Sequence, residues 1–258
     1  MRAIKRLSRQ ATVIFFSLIQ PLIWLVLFGQ MFARIARGAS DQFGHVSYLQ
    51  FFIPTVILQS ILFGSGQSGV GMITDIDSGF LDKLMTTPIN RLAILLGRLL
   101  GDLTRITVQM VLVIFIGWLI GQWQDPKINF HYGIAGIAGA LLIAMMFALV
   151  LMALNIFIAL WTRSTEATFI VSNFLTLPLL FTSSAQLPIS LLPNWMQKVA
   201  HVNPVTYTIE AMRALISGPA STHSHDTGLA IVEAIAVLVA LGVVTMTLAT
   251  SRFRSVVS

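Results

Sequence analysis

The sequence predicts an all-helical membrane protein with six transmembrane helices, and three observations carry that expectation. Of the 258 residues, 56% are hydrophobic and 10% are charged, where soluble domains run nearer a quarter charged. Apolar runs long enough to cross a bilayer core of about 30 Å recur along the whole chain. The alternating pattern of a membrane β-barrel is absent, and a helix satisfies its backbone polar groups within one segment, as the bilayer interior demands.

The apolar runs place the spans at about 12–33, 49–73, 92–121, 133–160, 167–184 and 228–249. Ahead of the first stand Arg2, Lys5, Arg6 and Arg9 with no small-residue cleavage site behind them, which reads as a retained signal anchor. With the N-terminus inside, eleven of the sixteen Lys and Arg fall on the cytoplasmic side, as the positive-inside rule requires. Both termini are therefore expected in the cytoplasm. The chain reads as one transmembrane domain over 1–258, with a cytoplasmic loop at 75–91 and an extracytoplasmic segment at 185–227.

The third span carries Arg98, Asp102 and Arg105 at helical spacings. Because a charge at the bilayer centre costs about 2.5 to 3.5 kcal/mol, residues 92–105 are expected to lie near the cytoplasmic surface and the deeper crossing to begin at about 106. Small residues recur every four positions at Ser60, Gly64 and Ser68 and at Gly136, Ala140, Ala144 and Ala148, with the pairs Gly97/Gly101 and Gly117/Gly121. Such rows let helix backbones approach closely in lipid. Asn155 and Asn173, polar within spans, are expected to bond neighbouring helices. Residues 185–227 are broken by Pro188, Pro193 and Pro204 and hold Trp195 and Tyr207, so short helices are expected there, re-entering the membrane or lying on its outer surface.

The densest mixed charge lies in the 75–91 loop, "DIDSGFLDKLMTTPINR". Asp75, Asp77 and Ser78 are capping residues, Phe80, Leu81, Leu84 and Met85 form an apolar side, and Pro88 biases Thr87 away from helical angles. The stretch predicts a short capped amphipathic helix on the cytoplasmic side.

Several chemistries are excluded. With no cysteine there is no disulfide framework and no thiolate ligation. The net charge of +6 is spread over span ends and forms no basic stripe with interleaved aromatics, so no nucleic-acid partner is expected. Nothing matches Gly-x-x-x-x-Gly-Lys-Ser/Thr, so no nucleotide site is expected in this chain. Gly66-Gln67-Ser68-Gly69 has the form of an intramembrane serine protease motif, but Ser68 lies towards the cytoplasm and all five histidines fall on the other side, so no catalytic residue is assigned. His223, His225 and Asp226 read as a solvated loop tip and no metal site is assigned. Arg163, Ser164 and Glu166 form the second cytoplasmic loop. Glu233, an ionisable residue inside the last span, is the residue that an ion-coupled secondary transporter would use, and that is the alternative function.

The run from Gly79 to Pro88, "GFLDKLMTTP", followed by "INRLAILLGRLL", resembles the first cytoplasmic loop of ABC-2 type exporter permeases. "NPVTYTIEAMR", residues 203–213, resembles that family's Asn-Pro-x-Thr-Tyr-x-x-Glu-Ala-x-Arg run before the last helix. The likeness is to the daunorubicin-exporter and polysaccharide or lipid exporter branch. It implies a permease subunit of a bacterial inner membrane exporter, working with a second permease as a homodimer in membrane lipid. Two separate ATPase subunits would hold the ATP and Mg2+. The loop would seat in the ATPase as a coupling helix, with Gly79 and Pro88 bounding it, Phe80, Leu81, Leu84 and Met85 as anchors, and Asp77, Asp82 and Lys83 choosing the partner. Asn203, Pro204, Tyr207, Glu210 and Arg213 would form the extracytoplasmic motif. At its front the loop has Asp75-Ile76-Asp77, where the family often has Glu-Arg.

Overall fold

A computed structural model describes residues 19–29, 31–32, 38, 46–86, 91–123, 128–222 and 226–257. The basic N-terminal residues, His45, Pro88, His223 and His225 lie outside the described residues, as do the side chains of Asp82, Leu84 and Met85.

All regular structure among the described residues is helical. The order is α1 (Ile19–Gly29), α2 (Tyr48–Asp77), α3 (Phe80–Met85), α4 (Arg91–Gly121), α5 (Gly133–Thr162), α6 (Thr165–Phe181), α7 (Asn194–Ala200), α8 (Pro204–Ser217) and α9 (Thr227–Val257). Short 3-10 turns at Ile189–Leu191 and Pro219–Ser221 precede α7 and α9. Four helices, α2, α4, α5 and α9, are long and apolar enough to cross a membrane, while α1 and α6 are shorter apolar helices. The chain is thus a multi-pass helical membrane protein.

Helices α2 and α5 form the centre. Helix α2 packs on α4, α5, α6 and α8, and α5 packs on α9, α8, α4 and α6. Their small residues make this possible. Ala140, Ala144 and Ala148 are fully buried along α5. Gly136 meets the Leu215 carbonyl of α8 where a Cβ would overlap it, and a Cβ on Gly69 would come within 2.6 Å of the Asn155 carbonyl. Gly97 and Gly101, by contrast, meet no neighbouring side chain and lie on the exposed face of α4.

Asn155 ties three helices together. Its amide nitrogen donates to Ser65 of α2 at 3.2 Å and to the Leu151 carbonyl at 2.9 Å, and its oxygen accepts from Ser172 of α6. Asn173 does no such work: it is half-buried and donates to the Phe169 carbonyl of its own helix. Replacing Asn155 with Leu is expected to cost about 1 kcal/mol, the scale of an interhelical polar contact in a membrane. A lowered thermal midpoint of the purified protein in detergent would register that loss, with Asn173→Leu as the silent comparison.

Helix α4 runs unbroken from Arg91 to Gly121, so the entry segment expected at 92–105 and the crossing expected from about 106 are one helix. Arg98 explains why it need not bend away. It pairs with Asp75 at the end of α2 and approaches Asp102 at 3.9 Å, which offsets the cost of carrying charge along the helix.

Candidate functional site

Two stretches carry the candidate residues, and the fold puts them in very different surroundings. The first is the link between α2 and α4. Helix α2 continues through Asp77, so Asp75 and Asp77 occupy its last turn and do not cap the next helix. A carboxylate at a helix C-terminus faces the negative end of the dipole, and for Asp75 the Arg98 guanidinium answers it. Ser78 closes α2 by donating its N–H to the Thr74 carbonyl at 3.0 Å. Gly79 then turns the chain at φ 66°, a left-handed conformation open to glycine at little cost.

The short helix α3 follows at once. Its first two residues diverge: Leu81 is buried, while Phe80 is 51% exposed. The single apolar side expected for Phe80 and Leu81 is therefore split, because consecutive residues on a helix point about 100° apart. Lys83 is exposed and Asp77 is exposed. A cavity of about 400 Å³ opens beneath α3, lined by Met72, Asp75, Phe80, Leu81, Ile94 and Arg98 among others. The result is an apolar notch with an ion pair on its wall and an exposed aromatic ring at its rim.

The second stretch, residues 203–213, is locked into the bundle. Asn203 caps α8 by accepting from the Val205 N–H at 2.9 Å, and Pro204 takes the first helical position, where its missing N–H costs nothing. The Asn203 amide also donates to the Leu179 carbonyl at 2.8 Å and to Thr182 at 3.1 Å, binding α8 to the end of α6. Tyr207 donates to the His201 carbonyl at 2.6 Å, closing the turn between α7 and α8.

Arg213 is the centre of this region and is fully buried. Its Nε donates to the Phe51 carbonyl at 3.2 Å and its Nη1 to the Ser184 carbonyl at 2.7 Å. Nη2 donates to the Ala185 carbonyl at 2.7 Å and to Thr55 at 3.4 Å. Glu210, one turn earlier, lies 3.6 Å from Nη1, and the guanidinium sits 3.5 Å from the centre of the Phe51 ring. The planar fork thus joins α8, α2 and the turn after α6 in one knot. Burial pushes the guanidinium down to about 10, the Glu210 carboxylate pulling it back, so it stays charged at neutral pH.

The segment after α6 holds helices of two kinds. Helix α7 sits at the surface of the bundle, with Trp195 and Val199 exposed. Helix α8 enters the bundle: ten of its residues are buried, and the Ile216 carbonyl accepts from the His131 N–H at 3.0 Å. Beside it, Phe147, Leu151, Phe174, Leu179, Asn203 and Leu241 line part of an apolar cavity of about 470 Å³.

The remaining candidates fall elsewhere. Ser68 is buried about 30 Å along α2 from Tyr48. The Tyr48 end is the one that meets Gln186 and Asn129, near His131 and His201, so these histidines are far from Ser68. Among the described residues no group of His, Asp and Glu is arranged to hold a metal ion. Asp226 caps α9 by accepting from the Gly228 and Leu229 N–H groups at 2.7 and 3.2 Å. Glu233 is exposed on α9. Ser164 caps α6 by accepting from the Ala167 N–H at 3.3 Å, after Arg163 ends α5 in a left-handed conformation at φ 52°. Sequence reasoning passed over Asp75 as an ion-pair partner, and it set Arg105 among charges on one face of its helix without the cleft that it lines. Their spacing along the chain gave no sign that α2 and α4 would lie side by side.

Comparison with known proteins agrees with this architecture. Residues 1–216 match the family model described as ABC-2 type transporter. The chain is 31% identical over 218 residues to the transport permease ycf38 of Cyanophora paradoxa, covering 82% of this chain and 70% of that protein. It is likewise 31% identical over 204 residues to the daunorubicin resistance ABC transporter permease protein DrrB1 of Streptomyces coeruleorubidus, covering 78% and 68%. A doxorubicin resistance ABC transporter permease protein, DrrC of Mycobacterium tuberculosis, is 22% identical over 217 residues, covering 84% and 75%. On the match over most of its length and the helical membrane architecture together, the chain belongs to the ABC-2 type transporter permease family.

Proposed function

We propose that this chain is the membrane-spanning subunit of an ATP-driven exporter that moves an amphipathic molecule, a drug, lipid or glycan, out of the cytoplasm. It pairs with a second copy of itself in a bacterial inner membrane, with both termini in the cytoplasm. Two ATPase subunits bind the 75–91 loop and carry the ATP and Mg2+, and no covalent chemistry takes place in this chain. The observation that carries the reading is α3. A six-residue helix with an exposed phenylalanine hangs between the ends of two membrane-length helices; its Leu81 is buried against the cavity that both line, and the Asp75 to Arg98 pair joins those two helices to each other. A push on Phe80 therefore reaches α2 and α4 as a unit. Family membership supports the same reading, as does the resistance function in the names of two relatives.

The test is to tag the C-terminus, purify the protein from its native membranes in mild detergent and assay what comes with it. An ATPase subunit in equal amount, with vanadate-sensitive ATP hydrolysis, is the expected result. A permease that emerges alone under several mild conditions overturns the proposal.

A further inference from the structure

Between α1, α2 and α4 lies a cleft of about 150 Å³ whose wall is polar although the helices around it are apolar. Gln20 comes from α1, Gln59, Ser60 and Gln67 from α2, and Arg105 and Gln109 from α4. Gln59 and Gln109 are buried, whereas Gln20 and Gln67 are exposed, so the cleft has a closed floor and a mouth on the side of the bundle.

Its depth makes this composition notable. At about 1.5 Å per residue, Gln109 lies about 18 Å and Arg105 about 24 Å from the Gly121 end of α4. Both distances fall within a bilayer core of about 30 Å. Counted so, Arg105 stands about 6 Å inside the far edge of such a core, where an ionisable side chain still calls for a partner or a ligand. The packing of α4 does not supply the reason, since its buried face is already apolar through Leu99, Ile106, Met110 and Val113.

Two polar atoms of the cleft lack a partner. The Nε of Arg105 is buried and donates to nothing, and its Nη2 reaches only the Gly64 carbonyl, at 3.4 Å. Gln59 is 5% exposed, and its Oε1 accepts from nothing. Arg98 and Arg213 each stand beside an acid, but no described carboxylate lies within ion-pair distance of Arg105, and none lines the cleft. A guanidinium without an acid, faced by amides and a hydroxyl, is a donor set for an anion, and the Gln59 oxygen awaits a donor beside it. A volume of about 150 Å³ matches that of a cavity able to take up a single small ring, which admits a phosphate or carboxylate with an adjoining hydroxyl.

We propose that this cleft binds the anionic, hydroxyl-bearing head of an amphiphile, whose apolar part remains at the mouth in the membrane. The proposal rests on the exporter reading only where it treats the occupant as cargo. A resident anionic lipid offers the same chemistry, and the two sources are separated below.

The test uses the purified permease alone in a neutral detergent, titrated with lysophosphatidic acid, lysophosphatidylcholine or inorganic phosphate and read by native mass spectrometry. Lysophosphatidic acid should bind saturably and about tenfold more tightly than the other two, and Arg105→Gln should lose about that factor, as expected for one charge-assisted contact. Gln59→Leu, which keeps the charge, should weaken the same probe by a smaller factor and provides the test if Arg105→Gln does not fold. Equal binding by wild type and both variants, or no preference for lysophosphatidic acid over either other probe, overturns the proposal. Because no ATPase is present, failure here is distinct from failure of the exporter reading. With the ATPase complex, stimulation of hydrolysis by lysophosphatidic acid supports the site with cargo as occupant, and binding without stimulation supports it with a resident lipid.

Discussion

Replacing Arg213 with Leu is expected to lower stability by about 3 to 5 kcal/mol, the scale for breaking a buried pair by removing one partner. The substitution removes the guanidinium donors from the Phe51, Ser184 and Ala185 carbonyls and leaves the Glu210 carboxylate, 13% exposed, without its cation. For a chain of this size that corresponds to a fall in thermal midpoint on the order of 10 °C, measured on protein purified in detergent. Arg213→Lys separates charge from geometry. An ammonium keeps the Glu210 contact but cannot reach three carbonyls on two other segments in one plane, so it should recover only part of the loss. A wild-type midpoint in Arg213→Leu would mean that the knot joining α8, α2 and the turn after α6 does not hold the bundle together.

Replacing Phe80 with Asp is expected to abolish co-purification of the ATPase while membrane insertion and thermal stability stay unchanged. Phe80 is half exposed, so a carboxylate there buries no charge in the permease. In the proposed interface the ring is the aromatic anchor, and truncating such a residue costs about 2 kcal/mol or more, roughly thirtyfold in affinity. Leu81→Asp is the wrong substitution for this purpose, since Leu81 is buried and its loss would damage the fold itself. Retained ATPase in the Phe80→Asp preparation would remove α3 from the coupling role. The cavity under α3 would then be a packing defect between α2 and α4, with no part in transmission.

The membrane crossings were legible because they depend on runs of apolar residues, and such runs are local. Expected spans at 49–73, 92–121, 133–160 and 228–249 meet helices α2, α4, α5 and α9, whose ends extend by a few residues where polar caps such as Asp226 and Ser78 continue the backbone bonding. The row Gly136, Ala140, Ala144 and Ala148 was equally readable, since its period is that of one helix face. The small helix at 80–85 was visible through Gly79 before it, though its cap was misplaced. Asp75 and Asp77 have the right chemistry for an N-cap, but α2 had not yet ended.

What the sequence by itself determined is the set of helices, their apolar character and the two motifs that mark the family, because each is written in neighbouring residues. Only the tertiary structure decided that Arg213 is a buried tie, that Arg98 meets Asp75, and that Arg105 shares a cleft with Gln20 and Gln59. Those pairs are separated along the chain by 23 to 162 residues or stand on different helices, and the sequence periodicity of one helix is silent about which face of another it meets. Charge made the difference sharp. A cation in an apolar helix looks the same on the page whether it snorkels to the surface, answers a carboxylate or waits for a ligand, and the three are distinguished only by which atoms the fold brings within hydrogen-bonding distance.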